Sequence, residues 1–232
     1  MLLEFQPTTM YKCNYCARQF QKETTLAVHL CEQKARHKEK NETGVQIGLQ
    51  AYLRFYEVHQ GSAKLKTFDD FASSSYYRAF VKFGRHCQAI RAVNVARFVD
   101  WLLKHNKKID HWHRDSLYNE YLQDHVRAEA VQDALTRAME FSIEWNAETQ
   151  NPAHDCLRYG NVNALCYAIV SGRITGWVLY NSESGKDLLD RLNQEQIAMI
   201  WPMIDPDFWR KKFKDYAADT EYCRTLLEQA GW

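Results

Sequence analysis

Little in this chain interrupts a helix. Its 232 residues include four prolines and nine glycines, and apolar residues seldom alternate with polar ones, which excludes a sandwich or barrel as the main body. No run approaches the ~20 apolar residues that a membrane helix needs. The opening Met-Leu-Leu-Glu-Phe-Gln-Pro has an early acid and no basic segment, unlike a secretory leader. The expected compartment is therefore cytoplasmic, or nuclear in a eukaryotic host. A Gly-rich phosphate loop, a nucleophile elbow and a second Cys-x2-Cys are all missing, so no enzyme is expected. His154, Asp155 and Cys156 are adjacent in sequence, but triad partners rarely are.

Cysteine is present in an odd number, seven. Three fall within the first 31 residues, and Cys87, Cys156, Cys166 and Cys223 are scattered. That distribution fits one metal site plus buried free thiols better than a disulfide framework. Net charge is +1, unevenly spread. Residues 10–40 hold seven bases (Lys12, Arg18, Lys22, Lys34, Arg36, Lys38, Lys40) against three acids (Glu23, Glu32, Glu39). A basic end on a nearly neutral body suggests one surface that faces a polyanion.

The rest reads as helices. Leu49, Leu53 and Tyr56 mark one across about 46–59. Thr67 followed by Asp69 and Asp70 is an N-terminal cap, and Phe71, Phe80, Val81 and Phe83 continue its apolar face. Asn94 caps a helix carrying Phe98, Val99, Trp101, Leu102 and Leu103. Asp115 opens another with Leu117, Tyr118, Tyr121 and Leu122. Ala130, Ala134, Ala138, Phe141 and Ile143 place a long helix over Val126–Trp145. Further helices are expected near 161–170, 186–192, 194–201, 206–217 and 219–229, with turns at Gly172 and Gly176. Ile174–Tyr180 could form a strand, but helix is favoured.

The N-terminal basic region carries the chemistry. Cys13 and Cys16, two residues apart, put both thiols at the tip of a short hairpin, and His29 follows after twelve residues. Zinc takes four nitrogen or sulfur ligands in a tetrahedron, and this spacing suits it. A module of about 30 residues cannot fold on its own core, so the metal would supply the folding energy. The segment resembles the CCHH-type zinc-finger family, with Tyr11, Phe20 and Leu26 at the family's apolar positions. The resemblance covers residues 11–37 and implies a small ββα fold. It departs at the fourth ligand, because seven residues separate His29 from His37. On a regular helix that is ~12 Å of rise and ~80° of rotation, so the helix must break after Leu30 for His37 to reach the metal. Cys31 is the alternative; two residues after His29 it lies on the opposite helical face and also requires unwinding. His37 is favoured.

By the same resemblance, the base-contacting positions fall on Lys22, Thr24, Thr25 and Val28, where Lys22 could reach a guanine edge and Thr25 a thymine methyl. One finger covers too few base pairs for specificity. Arg18, Lys34, Arg36, Lys38 and Lys40 could instead hold phosphates. Tyr76, Tyr77, Arg78, Lys82 and Arg85 could stack and grip a single strand, as could Trp201, Trp209 and Phe213 beside Arg210, Lys211 and Lys212; helix core is the favoured reading of both. His105, His111 and His113 read as a basic surface turn around a buried Trp112. The body also resembles uncharacterised helical proteins of tailed phages over Tyr77–Gly84 and Trp177–Gly185, which would place it in a host cytoplasm.

The sequence thus predicts a lead-in over 1–10, a zinc finger over 11–38, a linker over 39–45 and an all-α domain over 46–232. The expected function is a nucleic-acid-binding accessory protein, with DNA as the favoured ligand and a protein partner on the helical body. The alternative is an interaction or structural protein in which the finger is only a folding clip.

Overall fold

The computed structural model describes residues 10–61 and 65–232; the expected lead-in, apart from Met10, lies outside them. The chain is mainly α with a small two-stranded antiparallel sheet near its N-terminus. It divides into two compact units, Met1–Arg114 and Asp115–Trp232.

In the first unit, β1 (Tyr11–Lys12) and β2 (Gln19–Phe20) precede α1 (Glu23–Ala27), α2 (Glu32–Lys38), α3 (Thr43–Gln60), α4 (Phe68–Ser73), α5 (Tyr77–Ala89) and α6 (Val95–Lys104). The expected linker is a short turn, since α3 already begins at Thr43. α3 and α5 form the centre. Their backbones meet so closely that a Cβ on Gly84 would lie 2.0 Å from the Gly44 carbonyl oxygen and 2.6 Å from the Gly48 nitrogen. Around that crossing Tyr52, Phe71, Phe80, Phe83, Phe98, Leu102 and Trp112 are buried, and the Trp112 indole donates to the Lys107 carbonyl. The continuous apolar face expected from Phe71 to Phe83 is two helices. Ser74 is extended, so the chain turns between α4 and α5 and both halves reach the same core. Thr67 and Asp70 close a reciprocal capping box on α4, and Asn94 caps α6 by accepting from the Arg97 amide; both caps were legible in the sequence.

The second unit runs through α7 (Asp115–Ala128), α8 (Val131–Thr149), α9 (Cys156–Tyr159), α10 (Val162–Val170), α11 (Gly176–Asn181), α12 (Glu183–Asp190), α13 (Gln194–Ile204), α14 (Pro206–Asp215) and α15 (Ala217–Gln229). Ile174–Tyr180 contributes to helix, not strand. The long helix expected over Val126–Trp145 is interrupted at Glu129 and Ala130. The cause is ionic. Glu129 is buried and receives two bonds from the Arg137 guanidinium, at 2.6 and 2.9 Å. Lys212 donates to the carbonyls of Arg127 and Glu129, closing the end of α7 from beneath while its ammonium lies over the rings of Trp177, Trp209 and Tyr216. Buried charges persist only when paired and hydrogen-bonded, and this set satisfies both conditions.

Candidate metal centre

The hairpin that presents the first two cysteines is held by its own backbone. Tyr11 pairs with Phe20 and Lys12 with Gln19. The Cys13 amide donates to the Arg18 carbonyl and the Ala17 amide to the Cys13 carbonyl, both at 2.9 Å. Ala17 closes the turn at φ 59°, a left-handed conformation in which an alanine is strained. Amides of Cys16 and Tyr15 point at the Cys13 sulfur and pull its pKa down to about 7, so they stabilise the thiolate that a metal requires. The Arg18 amide pulls Cys16 down too, but burial and the neighbouring thiols of Cys13 and Cys31 leave it raised.

The remaining ligands come from a broken helix. α1 ends at Ala27, and the His29 amide still donates to the Leu26 carbonyl. The imidazole then turns inward against Phe20, with ring centroids 4.7 Å apart. Two residues on, Cys31 is fully extended (φ −119°, ψ 161°) and becomes the N-cap of α2, its sulfur accepting from the Lys34 amide at 3.4 Å. That extension supplies the unwinding which a Cys31 ligand requires.

The ligand atoms of Cys13, Cys16, His29 and Cys31 all lie within 4.8 Å of one another. Cys13 and Cys31 sulfurs are 4.0 Å apart, and the Cys16 sulfur is 3.3 Å from His29 Nε2. Zinc bonds of ~2.3 Å to sulfur and ~2.0 Å to nitrogen, set tetrahedrally, call for edges of roughly 3.8 and 3.6 Å. The donor set and spacing therefore fit a four-coordinate ion. Three sulfurs and one imidazole leave no open coordination position, which is the form of a structural site.

His37, the favoured fourth ligand on sequence grounds, lies outside this group. Its Nε2 is 3.5 Å from the Asp69 carboxylate, and its ring packs between Tyr15, at 4.9 Å, and Phe68, at 5.1 Å. The physical reason is the early break: with α1 ending at Ala27, Cys31 reaches the site first and α2 carries His37 away. The signal for this was in the sequence, since a cysteine stood inside an overlong His-to-His gap.

The residues proposed to meet nucleic acid separate into two sets. Arg18, Lys22, Thr25, Lys38 and Lys40 are exposed. Lys34 is half-buried and donates to the His29 carbonyl at 3.3 Å. Arg36 points inward instead: it donates to the Ala72 and Ser74 carbonyls, pairs with Glu32 at 2.6 Å and lies over the Tyr77 ring at 4.4 Å. Glu32 also receives Arg78, and Glu39 and Glu42 receive Arg85. Tyr77 and Trp209 are buried, as the core reading expects, whereas Tyr76 and Trp201 of the same segments are exposed. Trp112 is buried as well, and a single 3₁₀ turn, Ile109–His111, leads into it. Cys156 is buried, and that burial pushes its thiol up to about 12.

Comparison with protein-family models, with curated proteins and with solved structures returns no match. The likenesses to zinc fingers and to phage proteins thus gain no support there. Among the described residues no helix is long and apolar enough to cross a membrane.

Proposed function

We propose that this chain is a zinc-dependent nucleic-acid-binding accessory protein, with DNA the favoured ligand, in which Cys13, Cys16, His29 and Cys31 hold the ion and exposed cations of the finger and α2 grip a phosphate backbone. The observation that carries the reading is a contrast in pairing. Arg36, Arg54, Arg78 and Arg85 in the same unit each meet a carboxylate. Lys12, Arg18, Lys22 and Lys38, all exposed, meet none among the described residues. Cations left without acidic partners keep their full value for phosphates. α1, which occupies the place of the family's base-reading helix, has only five residues; the grip is accordingly on the backbone, with little reading of bases.

Binding of the full chain to duplex and single-stranded DNA, followed by fluorescence polarisation across a salt series, tests this. Replacing Arg18, Lys22 and Lys38 together with alanine should weaken binding and flatten the slope of log K against log salt by about 2–3, since each lost contact to B-form DNA removes roughly 0.9. Arg36→Ala should leave that slope unchanged. Absence of binding at low salt, or a triple variant that binds as the parent does, would refute the grip.

The second reading, a finger that serves only as a folding clip for a protein-interaction body, is favoured by the seam between α2 and the α4–α5 pair. Zinc would then be required for folding, and no nucleic acid would bind.

A further inference from the structure

Cys31 stands at a junction. Its sulfur belongs to the metal group, and its backbone starts α2, where that sulfur also accepts from the Lys34 amide. Every turn of α2 then makes a bond to the helical part of the unit. Glu32 meets Arg78 on α5 at 2.8 Å. Arg36 reaches the Ala72 and Ser74 carbonyls around the end of α4 and covers Tyr77. His37 meets Asp69 and Phe68 on α4, while its other side packs on Tyr15, inside the Cys13–Cys16 knuckle. Glu39 meets Arg85 at 3.1 Å. Between α2 and α5 runs a groove of about 390 Å³, walled by Glu32, Arg36 and Glu39 on one side and Arg78, Lys82 and Arg85 on the other. At its base Tyr77 is buried, and its hydroxyl has no hydrogen-bond partner among the described residues.

We propose that metal occupancy gates this seam: the loaded site holds α2 down on α4 and α5, and loss of the ion releases α2 as a unit and uncovers Phe68 and Tyr77, while the α3–α5 core stays folded. Two links transmit the state of the site, Cys31 through the helix start and Tyr15 through the His37 ring. Three of the bonds that α2 makes, Glu32–Arg78, His37–Asp69 and Glu39–Arg85, are ion pairs at the surface, each weak in water, so once its start is freed Arg36 is the main group left to hold the helix. The α3–α5 crossing needs none of them, because its contacts are backbone against glycine and ring against ring. Local opening of one element beneath the global unfolding barrier is the expected behaviour of such a segment.

This inference rests on the metal reading but not on nucleic-acid binding, and metal content measured alongside keeps the two distinguishable. Amide hydrogen exchange of the full chain, with zinc bound and after chelation, is the test. Chelation should speed exchange at least about tenfold in residues 32–38 and 68–73 and leave the interior of α3 and α5 unchanged. His37→Ala should keep one zinc per chain and narrow the difference in α4 exchange between the bound and chelated states, since the Cys31 link through Arg36 remains. Cys31→Ser preserves a helix cap but removes the thiolate, and it should behave as the chelated protein even in zinc. Unchanged α2 and α4 protection on chelation, collapse of α3 and α5 together with α2, or a Cys31→Ser protein that stays closed would each overturn the proposal; a chain that takes up no zinc would overturn the metal reading and this one together.

Discussion

At the scale of single residues, the metal group shows how backbone geometry prepares a side chain for its chemistry. Cys13 needs no basic neighbour to become a thiolate, because amides of Cys16 and Tyr15 already face its sulfur. This has a measurable consequence in proton release. With its pKa lowered to about 7, Cys13 is mostly ionised at pH 8 before any metal arrives and mostly protonated at pH 6. Zinc loading at pH 6 should therefore expel about one proton more from this residue than loading at pH 8, and zinc affinity should fall as pH drops through that window. Calorimetric titrations in buffers of different ionisation enthalpy count those protons directly; equal release at both pH values would contradict the assignment. Three of the ligands were legible in the sequence, because the spacing of Cys13, Cys16 and His29 is a local property. For the fourth the sequence offered both His37 and Cys31, and the choice between them depended on where a helix breaks. Five residues of α1 with no buried side chain gave periodicity nothing to register.

At the scale of elements, the helices with strong local signals were the most readable. Thr67 and Asn94 cap where their side chains predicted, and α6 carries Phe98, Val99 and Leu102 inward. Errors arose where tertiary contacts override a continuous pattern. The break between α7 and α8 accommodates Glu129, which pairs with Arg137 eight positions on and whose carbonyl is met by Lys212 from 83 positions away, and no periodicity reports that. The α3–α5 crossing was equally invisible, for a glycine inside a helix reads only as a weak former. It yields a clear expectation. In Gly84→Ala the new methyl meets backbone atoms of Gly44 and Gly48, and backbone cannot rotate aside as a side chain can. We expect a loss of about 3 kcal/mol or more against the usual 1–3 for overpacking, read from urea denaturation, with metal content unaffected. A variant as stable as the parent would show that the helices separate at little cost.

At the scale of the whole chain, the candidate metal group lies within one of the two compact units. All four candidate ligands, and the described residues that bond to α2 side chains, belong to the first unit. Zinc chelation should accordingly leave hydrogen exchange across α7–α15 unchanged while it alters the first unit; a loss of protection in both would join what the fold divides. The first unit also has an order written into its distances along the chain. Cys13 and Cys31 are 18 positions apart, whereas Arg36 and Ala72 are separated by 36 and Glu32 and Arg78 by 46. During synthesis the ion can be captured as soon as Cys31 leaves the ribosome, long before the surfaces that receive α2 exist. On the proposed reading of the site, metal supply at that moment would then decide whether α4 and α5 emerge to meet a finished helix or a loose one.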